Sequence, residues 1–219
     1  MALTLYYHPF SSFCQKVLVA LYEADVPFER RIIDLRDAEQ RAELAALWPL
    51  AKFPVLRDDD RQVALPESSI IIEHLVRHHA PTLLPDDPDE ALQVRLWDRI
   101  IDNYVELPLQ KVVGDCFRGE GRHDPEGVEQ AKALLRSTYG VLDRQLAGGG
   151  WIVGRSFSMA DCGAGPALFY ANIVEPFGDH ENVAAYYQRL LKRPSFKRAV
   201  DEARPYRTFF PLPWPADYE

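Results

Sequence analysis

With 219 residues, 47% hydrophobic and 26% charged, the chain has the composition of one large or two modest folded domains, which excludes disordered and collagen-like states. The net charge of −8 argues against a nucleic-acid partner, which needs a basic face, and suits a soluble protein. Cys14, Cys116 and Cys162 are too few and too scattered for a disulfide scaffold, lack zinc-type spacing and fit a reducing, cytoplasmic compartment without a bound metal.

The segment MALTLYYHPF lacks the basic-then-apolar build of a secretory signal, and no apolar run approaches the ~20 residues of a membrane helix. Residues 3–7 (LTLYY) are β-formers, and His8-Pro9 ends the run, giving a strand and a turn. Cys14, Val17, Leu18 and Leu21 then recur at i, i+3, i+4 and i+7, an amphipathic helix for which Ser11 or Ser12 is the natural N-cap. Residues 26–33 read as a second strand and 38–47 as a short helix. Residues 54–56 and 62–65 read as two short strands. Between them Asp58-Asp59-Asp60 reads as a solvated hairpin turn, without the glycine and distal glutamate of a calcium loop. From Glu67, the run ESSIIIEHLVRHH predicts a helix that ends before Pro81. His74 and His78 are i and i+4 on it; such a pair can bind a metal, or simply sit near a helix C-terminus, where positive charge is favoured. The order βαβαββα requires a mixed sheet with helices on its faces.

Residues 81–88 (PTLLPDDP) form a linker, and beyond it strand-type alternation disappears. Residues 91–117 read as a long helix with a bend near Pro108. Val128, Ala131, Leu135, Thr138 and Leu142 mark another helix, stopped by the glycines at 148–150. Those glycines precede Trp151 rather than Lys-Ser/Thr, so they form no phosphate loop. Further helices begin near Ser158, near Glu181 and after Pro194, and the aromatic tail from Pro205 has no regular element.

The segment HPFSSFCQKVLVAL resembles the thioredoxin and glutaredoxin turn in which Cys-Pro-aromatic-Cys opens a helix. The four positions hold Ser11, Ser12, Phe13 and Cys14, so Ser11 replaces the first redox cysteine. Lys52-Phe53-Pro54-Val55-Leu56 resembles the cis-proline segment before the third strand, and Pro66-Glu67-Ser68 the Glu-Ser pair that opens the third helix. Ser158-Met159-Ala160-Asp161 resembles the capping motif of the helical domain. In this order, over essentially the whole chain, the motifs resemble the cytosolic glutathione S-transferase superfamily in its serine-type and bacterial branches. The resemblance implies a thioredoxin-like α/β domain at residues 1–80 and an all-α domain at 89–219, paired as a homodimer, with glutathione as co-substrate. Trp48-Pro49-Leu50-Ala51 departs from the Asn-Pro and glycine often found there.

A free thiol with pKa near ~8.5 is mostly protonated at neutral pH, so an enzyme for thiol addition must stabilise the anion without consuming it. A helix N-terminus does so through unpaired N–H groups and partial positive charge, and a hydroxyl adds a charge-assisted hydrogen bond. Ser11 stands where both meet, with Ser12 the alternative; the other reading of Ser11 is a plain helix cap. A serine nucleophile is rejected, because there is no Gly-x-Ser-x-Gly elbow and His8 reads as a turn residue. Cys14, on the apolar stripe, reads as a small buried hydrophobe. The resemblance assigns Ser68 to the γ-glutamyl carboxylate, Glu67 to the amino group, and the backbone of Phe53 before a cis Pro54 to the cysteinyl part. Lys52 is placed to attract the glycyl carboxylate, or is a solvated surface lysine. Ser158 and Asp161 have capping-box spacing, with Phe157 as a hydrophobic staple.

An electrophile must approach the sulfur from the helical domain, so Tyr104, Phe117, Phe209 and Trp214 are the expected wall of the second-substrate pocket; each taken singly reads as core cover. The leading function is activation of glutathione for attack on a small hydrophobic electrophile. The alternatives are a glutathione-binding module without turnover, and glutathione-dependent disulfide exchange or isomerisation. Disulfide exchange would need a cysteine in place of Ser11.

Overall fold

The computed structural model describes residues 3–214. Its first part is a four-stranded mixed sheet of β1 (Leu3–Tyr7), β2 (Glu29–Ile32), β3 (Val55–Asp58) and β4 (Val63–Pro66), in the order β2-β1-β3-β4. β1 runs parallel to β2 and antiparallel to β3, and β3 is antiparallel to β4. All five residues of β1 are buried because helices cover both faces of the sheet. Leu3, Leu5 and Tyr7 face one core with α1 (Ser12–Glu23) and α3 (Ser68–His78), while Tyr6, Val55 and Ile33 meet Leu44 of α2 (Ala38–Leu47) on the other. The first strand matches the sequence reading, the second is shorter, beginning at Glu29 rather than residue 26, and the third and fourth begin one residue later than expected.

Asp58 corrects the expectation of a solvated aspartate turn. It ends β3 almost without exposure and accepts hydrogen bonds from the Arg61 backbone and guanidinium and from His74, which pin the hairpin to α3. His79, rather than His78, completes a group with Asp58 and His74 whose ligand atoms lie within 4.8 Å of one another.

After a 3-10 turn (Pro81–Leu83), the second part is helical: α4 (Pro88–Ile101), α5 (Leu107–Asp115), α6 (Pro125–Gln145), α7 (Met159–Val174), α8 (Glu181–Leu191) and α9 (Pro194–Ala203). α4 and α5 form one long rod interrupted by a π-helical segment, Asp102–Glu106. Pro108 has no N–H to close onto Tyr104, and the Leu107 N–H reaches five residues back to the Asp102 carbonyl. The interruption expected at Pro108 therefore takes the form of a widened turn just before it. The capping box at Ser158 is present: the Asp161 side chain accepts from the Ser158 N–H at 2.9 Å, and it also takes the Ile152 N–H and the Tyr186 hydroxyl. The tail differs from expectation, since Arg204–Phe209 forms a 3-10 helix.

α1 holds the two parts together. Every residue from Cys14 to Leu21 is buried, against the sheet and α3 on one side and α7 and α9 on the other. Its two polar members are matched across the boundary. Gln15 donates to Tyr170 of α7 at 2.9 Å, and the Lys16 ammonium lies 2.6 Å from Asp98 and 2.9 Å from Asp102. Among the described residues no helix is long and apolar enough to cross a membrane.

Candidate active site

The register of the sheet brings three short segments to one edge. Tyr6 pairs with Val55, and Val55 with Pro66, so the chain after β1, the chain before β3 and the chain after β4 emerge side by side. These are the turn of residues 8–12, the Lys52–Pro54 segment and the Glu67-Ser68 pair. The Phe53–Pro54 bond is cis. Phe53 is half-buried and its ring stacks on His8, tying the second segment to the first. Lys52 is exposed.

The turn is held by local bonds. The Ser11 N–H donates to the His8 carbonyl at 3.0 Å, and the Phe10 N–H donates to His8 Nδ1 at 3.2 Å. Burial lowers the His8 pKa, which keeps that nitrogen free to accept and agrees with a turn residue rather than a base. Ser11 has extended backbone angles and is the N-cap of α1, its Oγ accepting from the Cys14 N–H at 3.4 Å. A hydroxyl that accepts there still has its own proton to donate outward. The Ser12 hydroxyl, in contrast, is engaged inward, donating to the carboxylate of Glu106. Burial pushes the Cys14 thiol up to about 12, so it stays protonated as a packing residue.

Glu67 precedes α3 with φ of +70°, a left-handed conformation that a non-glycine residue keeps only where its surroundings enforce it. Ser68 follows, buried in the first helical turn, where backbone N–H groups lack intrahelical partners. Together they form a strained helix entry suited to a carboxylate.

Above the turn lies a cavity of about 210 Å³ with Ser11, Ser12, Glu106 and Gln110 as its polar groups. Phe10, Leu109, Val113, Tyr170, Phe209 and Phe210 supply its apolar wall. A larger groove of about 700 Å³ runs between the linker and residues 153–158; it contains none of the three converging segments, so the chemistry is ascribed to the smaller one.

Of the expected wall, Phe209 lines this cavity, held by the Arg36 guanidinium 4.7 Å over its ring. Trp214 packs one layer behind, its ring 6.2 Å from Phe10 and 5.7 Å from Phe210. Tyr104 and Phe117 lie outside the lining and are 49% and 68% exposed. The reason is helical phase. Glu106, Leu109, Gln110 and Val113 share the inward face of the rod; Tyr104 is two residues out of step, and the helix ends at Asp115 before reaching Phe117.

Sequence reasoning passed over Glu106, the buried carboxyl of the site. It is 3% exposed, and burial pushes its pKa up to about 7 against the pull of hydrogen bonds from Ser12 and Gln110. The signal available was one acidic residue beside the apolar stripe Ile101, Val105, Leu109, Val112.

Residues 5–86 match the glutathione S-transferase N-terminal domain, and residues 125–189 match the glutathione S-transferase C-terminal domain. Glutathione S-transferase 4 of Zea mays is 29% identical over 214 residues, covering 91% of this chain and 92% of its own. Glutathione S-transferase GstB of Escherichia coli K12 is 26% identical, covering 90% and 97%. A glutathione S-transferase of Methylobacillus flagellatus, solved with glutathione bound, superposes with a TM-score of 0.82 at 28% identity, covering 90% of this chain and 98% of that one. Two domain matches in order, relatives alike over nearly their full length and the same arrangement of sheet and helices place this chain in the cytosolic glutathione S-transferase superfamily.

Proposed function

We propose that the protein is a glutathione transferase in which Ser11 stabilises the thiolate of bound glutathione for attack on a small hydrophobic electrophile. The observation that carries this reading is the opposite engagement of the two serines. Ser11 caps α1 with a lone pair and keeps its proton for an anion at the helix N-terminus, whereas Ser12 is already bonded to Glu106. Glu67 and Ser68 are suited to the γ-glutamyl end, the Phe53 backbone beside Pro54 to the cysteinyl part, and Lys52 to the glycyl carboxylate. The electrophile enters the cavity walled by Phe209. Disulfide exchange is disfavoured, because no cysteine replaces Ser11 and the Cys14 thiol is pushed up to about 12. The division falls at the linker 81–88, and the free cysteines fit a cytoplasmic setting.

The test is conjugation of glutathione to several electrophiles. Ser11→Ala removes a charge-assisted hydrogen bond of roughly 1.5–3 kcal/mol, so turnover should fall about ten- to a hundred-fold while glutathione affinity stays nearly unchanged. Loss with Ser12→Ala alone would move the thiolate role one residue along; no loss in either would end the serine assignment. Glutathione binding without conjugation of any electrophile would make the chain a binding module.

The same reading includes a homodimer. Ile70 on α3 and Leu92 and Leu96 on α4 are 51%, 60% and 48% exposed, on helices bridged by the Arg95–Glu73 ion pair. Such apolar exposure suits a subunit contact. Sedimentation of Leu96→Arg should give monomer where the unaltered protein gives dimer; a monomer in both rejects the pairing.

A further inference from the structure

This inference rests on the thiolate reading above and asks where the thiol proton goes. Ser11 is a donor to the sulfur and takes no proton away. Glu106 is the ionisable carboxyl that lines the same cavity. It is held by the Ser12 hydroxyl and, at 3.3 Å, by the side-chain amide of Gln110 on α5. Both are uncharged. Lys16 of α1 spends its ammonium on Asp98, Asp102 and Ser69, at 2.6, 2.9 and 2.9 Å. Asp102, on the same π segment, adds negative charge that further favours a protonated Glu106. Tyr170 of α7, across the cavity, is itself pushed up by burial and stays a phenol.

The consequence is a carboxylate whose proton affinity approaches that of a thiol. An unperturbed glutamate lies about four pK units below a free thiol, too weak an acceptor; at about 7 the gap shrinks to one or two units. A base matched to the operating pH is the form general-base catalysis requires. The π segment has a definite part in this: it sets the helical phase that turns Glu106 to α1.

We propose that Glu106 receives the thiol proton of bound glutathione across the hydroxyl of Ser12. The S–H bond breaks and its proton joins Ser12 Oγ, while the proton Ser12 already carries passes to the Glu106 oxygen it faces. Sulfur keeps the electron pair. The carboxylate is neutralised as the thiolate appears, so the charge of the pocket is unchanged, which a water-poor site favours. The hydrogen bonds reverse in the same step. Glu106 then donates to Ser12, and Ser12 turns its proton to the sulfur beside Ser11. After sulfur bonds to the electrophile, the proton leaves Glu106 for the displaced anion or, in an addition, for the carbanion formed.

The test counts protons against thiolate. Glutathione is bound at about pH 8, where a carboxyl with pKa near 7 is mostly ionised in the free enzyme. Calorimetry in buffers of different ionisation enthalpy gives protons released, and ultraviolet difference absorbance gives thiolate formed. The unaltered protein should form thiolate while releasing well under half a proton for each. Glu106→Gln, which keeps the shape and the bond to Ser12, should form less thiolate and release about one proton for each. Its kcat/KM should fall at least tenfold at neutral pH and recover toward higher pH. One proton per thiolate in the unaltered protein, or equal ratios in both proteins, overturns the Glu106 role even if Ser11→Ala abolishes the thiolate, and leaves the Ser11 reading standing. No thiolate in the unaltered protein overturns both. Because the decisive ratio is measured on the unaltered protein, it holds whether or not the variant folds.

Discussion

Asp98 and Glu106 stand about two turns apart on the same long rod, 1% and 3% exposed, and their ionisation is set in opposite directions. Burial opposes the charge on Asp98, but Lys16 at 2.6 Å, with Ser69 and Arg99, outweighs it and holds the carboxyl below the ordinary range. Glu106 meets the same penalty with hydrogen bonds from a hydroxyl and an amide and only a weaker pull from Lys16, which bonds elsewhere, and rises to about 7. Burial alone therefore does not decide whether a carboxylate is structural or titratable; the charge of its partner does. The first site cross-links the two halves of the protein, and the second stands open to a cavity.

The largest expected effect breaks the first of these. Lys16→Met leaves Asp98 and Asp102 buried with only the half-exposed Arg99. Removing one partner of a buried pair costs about 3–5 kcal/mol, so denaturant unfolding should show a loss of that size. A loss under 1 kcal/mol would mean that the aspartates simply take up protons. Asp98→Asn in the Lys16→Met background should restore part of the stability.

The second, somewhat smaller, concerns Glu106. Its folded pKa lies above its unfolded value near 4.5, so its contribution is fully present below pH 4.5 and is lost as pH rises through about 7. The ionised group then costs about 3 kcal/mol above pH 7, an upper estimate from a shift of about 2.5 units. Glu106→Gln should therefore gain stability relative to the unaltered protein between pH 5 and 8, measured as the difference in urea unfolding. A difference flat with pH would show that Glu106 ionises normally.

The smallest effect sharpens the comparison at a single bond. Gln110→Met removes one of the two donors that favour the ionised form, so the Glu106 midpoint should move further up, by about half to one unit. The midpoint of the stability profile reports it; a downward move would mean that the amide does not serve the carboxylate.

Much of this molecule was legible as pattern. The βαβαββα order, the helix opening at Ser11 and the capping box at Ser158 are short-range features, and each follows from composition and spacing within about ten residues. The convergence of Ser11, Pro54 and Ser68 followed once resemblance supplied the sheet. What escaped depends on helical phase and distant partners. Tyr104 was assigned to the pocket and Glu106 overlooked because a π segment shifts the face of the rod, and Pro108 is its single local cue. Asp58 read as surface because its neighbours in sequence are acidic, whereas its partner His74 stands sixteen residues away. The tail read as irregular because its aromatic residues alternate with prolines, yet its rings pack edge-on or tilted against His8 and Phe10 at the other end of the chain.

The burial of α1 on every side has a consequence for biosynthesis. A helix apolar nearly all round can rest only in a complete interior. Its cover on one side comes from α3, close behind it, but on the other from α7 and α9. About 150 residues separate the end of α1 at Glu23 from the end of α7 at Val174, and at ~5–20 residues per second the ribosome needs on the order of ten seconds to supply them. During that interval the nascent first domain carries an uncovered greasy flank with a lysine, Lys16, in its middle. Its two aspartates come with α4 and the turn after it, so for the first part of that interval the cation stands alone, and burying the flank against any other apolar surface is costly.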